Sequence, residues 1–125
     1  MKYDFDFSHM PDYVLIKTGE FSVVEDFYKL LKDLTASSTW SKGTPQIIDH
    51  RSLDLQKMTP NDMQMICSIV EFYAEKLGNG KCAFILNDHI ALLSAECNRA
   101  KETGLRTEIG VFSSLAQAKK WVLGK

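Results

Sequence analysis

The sequence predicts an α/β domain, because segments typical of strands alternate with segments typical of helices. The clearest pair lies near the C-terminal end, where RTEIGVF (residues 106–112) is followed by SSLAQAKKWV (residues 113–122). A further strand, CAFILND (residues 82–88), is continuously apolar, which is typical of a strand buried on both faces. The full order ββαβαβαβα predicts a mostly parallel sheet of four to five strands, with an N-terminal antiparallel hairpin and about four helices.

The N-terminal hairpin is predicted from two strand-like runs, residues 3–8 and 13–18, joined by the turn HMPD. In the first run, aromatic residues alternate with polar ones, which is the period of a strand with one face in water. Ser22 and Glu25 then have the spacing of a capping box and predict the start of the first helix. The predicted buried face of that helix comprises Val24, Phe27, Tyr28, Leu31 and Leu34.

Two further helices are predicted after the short strand QIID (residues 46–49). Thr59 followed by Pro60 marks the start of the first of them, since proline at the first helical position loses no hydrogen bond. Its inner stripe comprises Met63, Ile66, Cys67, Val70, Ala74 and Leu77. The next helix is predicted over residues 89–103, and its core-facing positions are Ile90, Leu93, Cys97 and Ala100.

Composition places the chain among ordinary globular proteins. Its 125 residues are 45% apolar and 25% charged, which suits a single domain (residues 1–125) with its own core. Fifteen basic and sixteen acidic residues give a net charge of −1, which argues against nucleic-acid binding by bulk electrostatics. No apolar run approaches the roughly 20 residues that span a bilayer, so we expect no integral membrane association. The acidic, aromatic N-terminus is unlike a signal peptide, and we expect a cytoplasmic protein.

The three cysteines, Cys67, Cys82 and Cys97, are an odd number and form no CxxC pair. Each lies where a small apolar residue would pack, two on helix faces and one within a strand. We therefore expect buried free thiols rather than a disulfide, a metal site or a nucleophile. Neither a metal nor a cofactor is predicted.

Polar side chains follow two neighbouring strands at the point where each strand ends. They are Asp49, His50 and Arg51 after one strand, and Asn87, Asp88 and His89 after the other. In open α/β sheets, ligands bind beyond the carboxyl ends of the strands. Two Asp-His pairs there are able to ligate a metal or to support general acid–base chemistry. The alternative is that Asn87 or Asp88 caps the following helix, that Asp49 holds its loop, and that both histidines are solvated.

Apolar residues near the same edge form a second candidate surface. Leu53, Leu55 and Met58 lie in the loop after Arg51, and Trp40 lies in the polar connector. If exposed together, they would form a ligand or partner patch. The alternative, which we favour for Trp40, is that the side chain folds back over the edge of the core. The aromatic first strand, placed at a sheet edge, is also suited to pairing across a dimer axis.

The sequence shows no established catalytic motif. A nucleophile elbow (GxSxG), a phosphate loop (GxxxxGKS) and a dinucleotide fingerprint (GxGxxG) are all absent from it. The glycine-rich GNGK (residues 78–81) precedes a strand, whereas a phosphate cradle precedes a helix. We therefore expect a protein that is not an enzyme.

Four segments resemble the SpoIIAA-like proteins of the STAS superfamily, which are also described as STAS/SEC14-like domains. The segments are IIDHRS (residues 47–52), TPNDM (59–63), CAFILND (82–88) and VFSSLAQAKKWV (111–122). The resemblance extends from about Tyr13 to Val122. Its most specific positions are Val111, Phe112, Ala118 and Trp121. It implies a STAS-like sandwich.

Two functions are implied by this resemblance. Anti-sigma-factor antagonists of the superfamily are switched by phosphorylation of a serine or threonine at a helix N-terminus, a position that Thr59 occupies here. However, their Asp-Ser-Ser/Thr-Gly-like sequence is replaced by Thr-Pro-Asn-Asp at residues 59–62, and the Thr59 hydroxyl is suited to capping the helix. SEC14-like relatives are lipid carriers, but they are larger, and 125 residues leave little room to enclose a lipid.

Together, these observations predict a non-enzymatic regulatory or interaction module that binds a protein partner or a small apolar ligand. The predicted binding surface is a strand-end rim, which comprises Asp49, His50, Arg51, Leu53, Thr59, Asp88 and His89. Two alternatives stay open. One is an enzyme or metal-dependent protein that uses the two Asp-His pairs, and the other is a small lipid carrier with an apolar cavity between the sheet and a helix layer. A homodimer is compatible with each of them.

Overall fold

The computed structural model describes residues 2–19, 23–53, 58–78, 80–102, 104 and 107–124, without the side chain of Val23. It confirms the predicted α/β class, with one five-stranded sheet and five helices in the described residues. The strands are β1 (Tyr3–Asp6), β2 (Val14–Thr18), β3 (Gln46–Asp49), β4 (Cys82–Ile85) and β5 (Ile109–Phe112). The helices are α1 (Val23–Ala36), α2 (Pro60–Phe72), α3 (Ala74–Leu77), α4 (Ile90–Glu102) and α5 (Leu115–Val122).

The strands lie in the sheet in the same order as in the chain, from β1 to β5. β1 pairs with β2 in an antiparallel manner, as the predicted hairpin requires, and all other neighbours are parallel. Because each right-handed crossover moves one strand further in the same direction, α1, α2 and α4 cover the same face. α5 packs on the opposite face, against β3, β4 and β5.

The two faces of the sheet carry separate apolar cores. In β4, the side chains of Cys82 and Phe84 face the layer formed by α1, α2 and α4 (the three-helix layer). Ala83 and Ile85 alternate with them and face α5, as the period of a strand requires. All four are buried, which confirms the predicted burial of this strand on both faces.

In α1, the structure corrects one predicted core residue. Tyr28 is 42% exposed, whereas Leu30, which the prediction left out, is fully buried. The face that meets the sheet follows the i, i+3, i+4, i+7 repeat and comprises Phe27, Leu30, Leu31 and Leu34. Tyr28 lies on the flank of the helix that faces α2, where its ring contacts the ring of Tyr73. The predicted cap Ser22 lies outside the described residues.

The start of α2 has the predicted cap. Thr59 Oγ1 accepts a hydrogen bond from the backbone N–H of Asp62 (3.1 Å), and the Asp62 carboxylate accepts one from the backbone N–H of Thr59 (2.9 Å). Every residue of the predicted inner stripe is buried. The helix ends earlier than predicted, because Tyr73 departs from helical geometry and separates α2 from α3.

The last strands and helices form as predicted, with shorter bounds. In α4, the inward residues Leu93 and Cys97 are buried. β5 begins at Ile109, and residue 106, at which the predicted strand began, lies outside the described residues. Ser114 caps α5 by accepting a hydrogen bond from the backbone N–H of Gln117 (3.2 Å). None of the helices described here is long and apolar enough to cross a membrane.

Candidate functional site

The rim predicted from the sequence lies where β3 and β4 end. Asp49 and Ile85, the last residues of these strands, are neighbours in the parallel register. The loop after β3 is tied to β4, because the backbone N–H of His50 donates to the Ile85 carbonyl (2.9 Å). The side-chain amide of Asn87, after β4, donates to the carbonyl of Arg51. The structure thus joins the ends of both strands through direct hydrogen bonds.

Within the rim, the Asp49 carboxylate is engaged by Arg51. Arg51 Nη2 lies 2.8 Å from Oδ2, and Arg51 Nε lies 3.0 Å from Oδ1, which also accepts the backbone N–H of Arg51 (3.0 Å). Burial opposes ionisation of Asp49, but these hydrogen bonds outweigh it and hold the pKa of the carboxyl below its usual value. Asp49 is therefore an ionised carboxylate that holds the loop after β3 through Arg51, as the alternative prediction for this residue stated.

The side chain of His50 is buried, so the alternative prediction that both histidines are solvated is wrong for His50. It is 3% exposed, and its ring stacks on that of Phe84 at a centroid distance of 5.8 Å. Its Nδ1 lies 2.8 Å from Thr18 Oγ1, and that hydroxyl donates to the Asp49 carbonyl (3.1 Å). Because the hydroxyl has a single hydrogen, we assign the Nδ1–H tautomer to His50. Burial lowers the pKa of His50 to about 4, so the ring is neutral at physiological pH.

The second Asp-His pair is held differently. The Asp88 carboxylate accepts a hydrogen bond from the backbone N–H of His89 (2.8 Å), and its Oδ1 lies 4.0 Å from His89 Nδ1. The side chain of Asp88 is 52% exposed, and that of His89 is 25% exposed. Among the described residues, no group of three or more His, Cys, Asp or Glu side chains is arranged to hold a metal ion.

The other predicted surface residues are engaged locally or turn inward. Thr59 forms the cap of α2. Leu53 is half-buried and packs against the larger core, and Met58 is buried. Trp40 packs against the same core, as the alternative for this residue predicted. These side chains cover the edge of the core instead of forming an exposed patch, and Leu55 lies outside the described residues.

The structure also shows an exposed apolar surface that the sequence analysis missed. Phe72, at the end of α2, is 70% exposed, and its ring lies 6.1 Å from that of Tyr28 (centroid to centroid). Met65 lies seven residues earlier on the same flank of α2 and is 45% exposed. We call Tyr28, Met65 and Phe72 the α1–α2 patch. The underlying signal was the i, i+4, i+7 spacing of Met65, Ile69 and Phe72, but such spacing does not distinguish a buried face from an exposed one.

On the other flank of α2, a cavity of about 420 Å³ opens to the surface between α2 and α4. Its walls comprise Gln64, Cys67, Ser68 and Glu71 on α2, then Glu96, Arg99 and Ala100 on α4, and Gly104. The Glu96 side chain is buried, and its carboxylate lies 3.3 Å from Arg99 Nη1. This cavity lies between two helices, whereas the lipid-carrier alternative predicts an apolar cavity between the sheet and a helix layer.

The fold and its surfaces define a small α/β domain with a mixed sheet, the three long helices α1, α2 and α4 on one face and α5 on the other. No protein-family model, curated protein or solved structure gives a significant match to the chain. The resemblance to SpoIIAA-like proteins therefore stays a prediction. A fold of this class supports many functions, so the surfaces of this domain, and not its fold, indicate what it binds.

Proposed function

We propose that this protein is a non-enzymatic interaction module, of the regulatory kind that the SpoIIAA-like resemblance implies, and that it binds a protein partner through the α1–α2 patch. The observation that carries the proposal is the Phe72 side chain. It is 70% exposed, and its ring contacts those of Tyr28 and Tyr73. Scattered apolar residues are normal on a protein surface, whereas a contiguous group of them marks an interaction site.

The shape of the patch favours a protein over a small ligand. Small-molecule sites are concave and enclose most of the ligand surface. The cavities described for this chain lie elsewhere, one between α2 and α4 and one beside β5 and Trp121. The α1–α2 patch instead lies on the outer side of two adjacent helices, where an apolar helix face or loop is able to pack. Aromatic residues and methionine are enriched in the cores of protein–protein interfaces.

The rim is retained in the proposal as a separate, polar contact surface. The side chains of Arg51 and Asp88 are 40% and 52% exposed, so both present charge to a partner. Thr59 is the position where the resemblance implies phosphorylation. Its hydroxyl accepts the backbone N–H of Asp62, and a phosphate added there would have to replace that cap.

An enzyme or metal-dependent protein built on the two Asp-His pairs receives less support. The Asp49 carboxylate is bound on both oxygens by Arg51, and His50 is buried and neutral. A general base needs access to the proton that it removes, and a metal ligand needs partners at the same point. These features favour a structural role for the first pair, whereas the exposed charges suit recognition.

The proposal is tested with the full-length chain and two matched variants. Phe72→Ser removes the centre of the patch, and Leu92→Ser removes an exposed leucine on α4 (38% exposed), which makes it a control for loss of surface hydrophobicity. Each protein is used to capture partners from an extract of the source cells, with quantitative mass spectrometry. A partner that is recovered is then purified, and its affinity for each variant is measured by calorimetry.

We expect Phe72→Ser to weaken the affinity of the purified partner about tenfold or more, as loss of an interface hot spot does, and Leu92→Ser to leave it unchanged. Equal affinities for wild type and Phe72→Ser would contradict the proposal. A concentration-dependent dimer of the purified chain that Phe72→Ser dissociates would instead assign the patch to a second copy.

A further inference from the structure

Two of the three cysteines lie side by side between α2 and α4. Cys67 Sγ lies 3.6 Å from Cys97 Sγ, although the residues are 30 positions apart in the chain. All three cysteines are free thiols with buried side chains. Cys82, on β4, belongs to the same core, and its side chain is completely buried. The prediction of three buried free thiols is confirmed, and the structure also places two of them side by side.

Each of the two paired cysteines borders a cavity. Cys67 contributes to the wall of this cavity, whose volume of about 420 Å³ is sufficient for the reacting end of a small thiol compound. Cys97 borders a second cavity of about 190 Å³, on the other side of α4, with Asn98, Lys101 and Thr107. Cys82 is not among the described residues that form either wall. Access thus distinguishes the pair from the third thiol.

We propose that Cys67 and Cys97 form a reversible redox pair, which is oxidised to an intramolecular disulfide by exchange with a low-molecular-weight disulfide. The inference is independent of the function proposed above. In the first step, the Cys67 thiolate attacks one sulfur of the small disulfide, a mixed disulfide forms, and one small thiolate leaves. In the second step, the Cys97 thiolate attacks Cys67 Sγ, the protein disulfide forms, and the second small thiolate leaves. The two protein thiols lose two electrons and two protons, and the small disulfide is reduced to two thiols.

The surroundings of the two sulfurs assign the order of these steps. The hydrogen bond from the Cys97 thiol stabilises the Cys67 thiolate and lowers the pKa of Cys67. The same hydrogen bond, together with burial, raises the pKa of Cys97. Cys67, which borders the larger cavity, is therefore the attacking thiol, and Cys97 is the thiol that resolves the mixed disulfide. To reach a disulfide bond of about 2.05 Å, the sulfurs have to approach by about 1.5 Å from their separation of 3.6 Å.

The test uses the reduced full-length chain, incubated under native conditions with glutathione disulfide. The reaction is quenched by acid, the protein is denatured, and the remaining thiols are alkylated and counted by mass spectrometry. We expect the number of alkylated cysteines to fall from three to one, and peptide mapping to find Cys67 joined to Cys97 and Cys82 alkylated. An unchanged count in the folded protein would overturn the proposal, as would a disulfide or mixed disulfide that includes Cys82.

Variants identify the role of each thiol. Cys82→Ala is the matched control and should form the Cys67–Cys97 disulfide as the wild type does. Cys97→Ser should stop at the mixed disulfide, with one glutathione on Cys67. Cys67→Ser should lose the reaction with glutathione disulfide. Circular dichroism establishes whether each variant is folded. If a serine variant does not fold, the measurement on the wild-type protein still decides the proposal. A folded Cys67→Ser protein that takes up glutathione on Cys97 as fast as the wild type reacts would contradict the assigned order.

Discussion

At the scale of single residues, His50 shows how tertiary contacts change the meaning of a sequence pattern. An aspartate followed by a histidine at a strand end suggests acid–base or metal chemistry. In the structure, each member of that pair is engaged elsewhere: Asp49 by Arg51, and His50 by Thr18 and the ring of Phe84. The rim is consequently held by side chains that anchor its loop to the sheet, while neighbouring charges stay exposed.

The buried His50 ring makes stability depend on pH. Its pKa is about 4 in the folded protein and 6.5 in the unfolded chain, so the unfolded chain binds more protons between these values. The stability associated with the neutral ring is complete above pH 6.5 and is lost as the pH falls toward 4. We expect this group to lower the unfolding free energy of the wild type by about 2 kcal/mol between pH 7 and pH 5. The unfolding free energy of His50→Gln should therefore fall by about 2 kcal/mol less than that of the wild type over the same range. Denaturant titrations at the two pH values measure the difference.

The control for this experiment is Leu92→Ser, because it replaces an exposed side chain that does not titrate. It should keep the pH dependence of the wild type. The pKa of Asp49 is lowered, so its contribution is lost only as the pH falls below its usual value near 3.8, outside the window tested. Identical pH dependence of wild type and His50→Gln would show that His50 protonates with little cost in the folded protein.

At the scale of elements, α2 contributes different chemistry on each of its sides. Its start is held by the cap at Thr59, and one side buries Met63 and Val70 in the core. One flank carries Met65 and Phe72 of the α1–α2 patch, and the other carries Cys67 beside the cavity. A helix in the middle of a three-helix layer has two flanking grooves, which explains why both the proposed interface and the proposed redox pair involve it.

The cap of α2 gives a prediction for this scale. Thr59→Ala removes the acceptor of the Asp62 N–H and leaves that donor without its cap, so we expect unfolding free energy to fall by about 1 kcal/mol. Thr59→Ser keeps a hydroxyl in the same position and should cost only a small fraction of that amount. Denaturant unfolding of the three proteins measures the effect. Equal loss in both variants would show that the methyl group, and not the cap, accounts for the role of Thr59.

At the scale of the whole molecule, the winding of the sheet determines which surfaces are exposed. Since every parallel crossover proceeds in the same direction, three helices share one face, and their outer sides and grooves form one continuous surface. The opposite face is covered by α5 alone, which packs on β3, β4 and β5. The α1–α2 patch and the cavity beside Cys67 are therefore both features of the three-helix layer.

This arrangement predicts opposite behaviour for two phenylalanines. Phe84 is 1% exposed and lies between the helices and the sheet, so Phe84→Ala should lower the unfolding free energy by about 3–5 kcal/mol. Phe72 is 70% exposed, and Phe72→Ala should change the unfolding free energy by about 0.5 kcal/mol or less. Denaturant unfolding compares the two. A large loss of stability in Phe72→Ala would show that the ring serves the fold, and would remove the main support for a partner site there.

Local patterns allowed much of the fold to be predicted from sequence. The alternation of strand and helix periods predicted the class and the order of the elements, and the Thr59–Pro60 pair predicted the start of α2, because periods and caps depend on residues that are close in the chain. Every residue of the predicted stripe of α2 and α3 is buried, and Ile69 is a further buried residue of α2 that the prediction left out. In α1 the local patterns failed at Tyr28 and Leu30, because several apolar residues lie near the boundary of the buried face and only the position of α2 decides between them.

The sequence by itself determined the α/β class, the hairpin, the cap of α2 at Thr59 and the burial of the cysteines. The tertiary structure alone decided that Arg51 takes the Asp49 carboxylate, that His50 is buried, that Phe72 is exposed beside Tyr28, and that Cys67 meets Cys97. Each of these facts depends on how the chain turns after a strand or on contacts between elements far apart in sequence. Such contacts follow from the packing of α1, α2 and α4 on one sheet face, which no local period encodes.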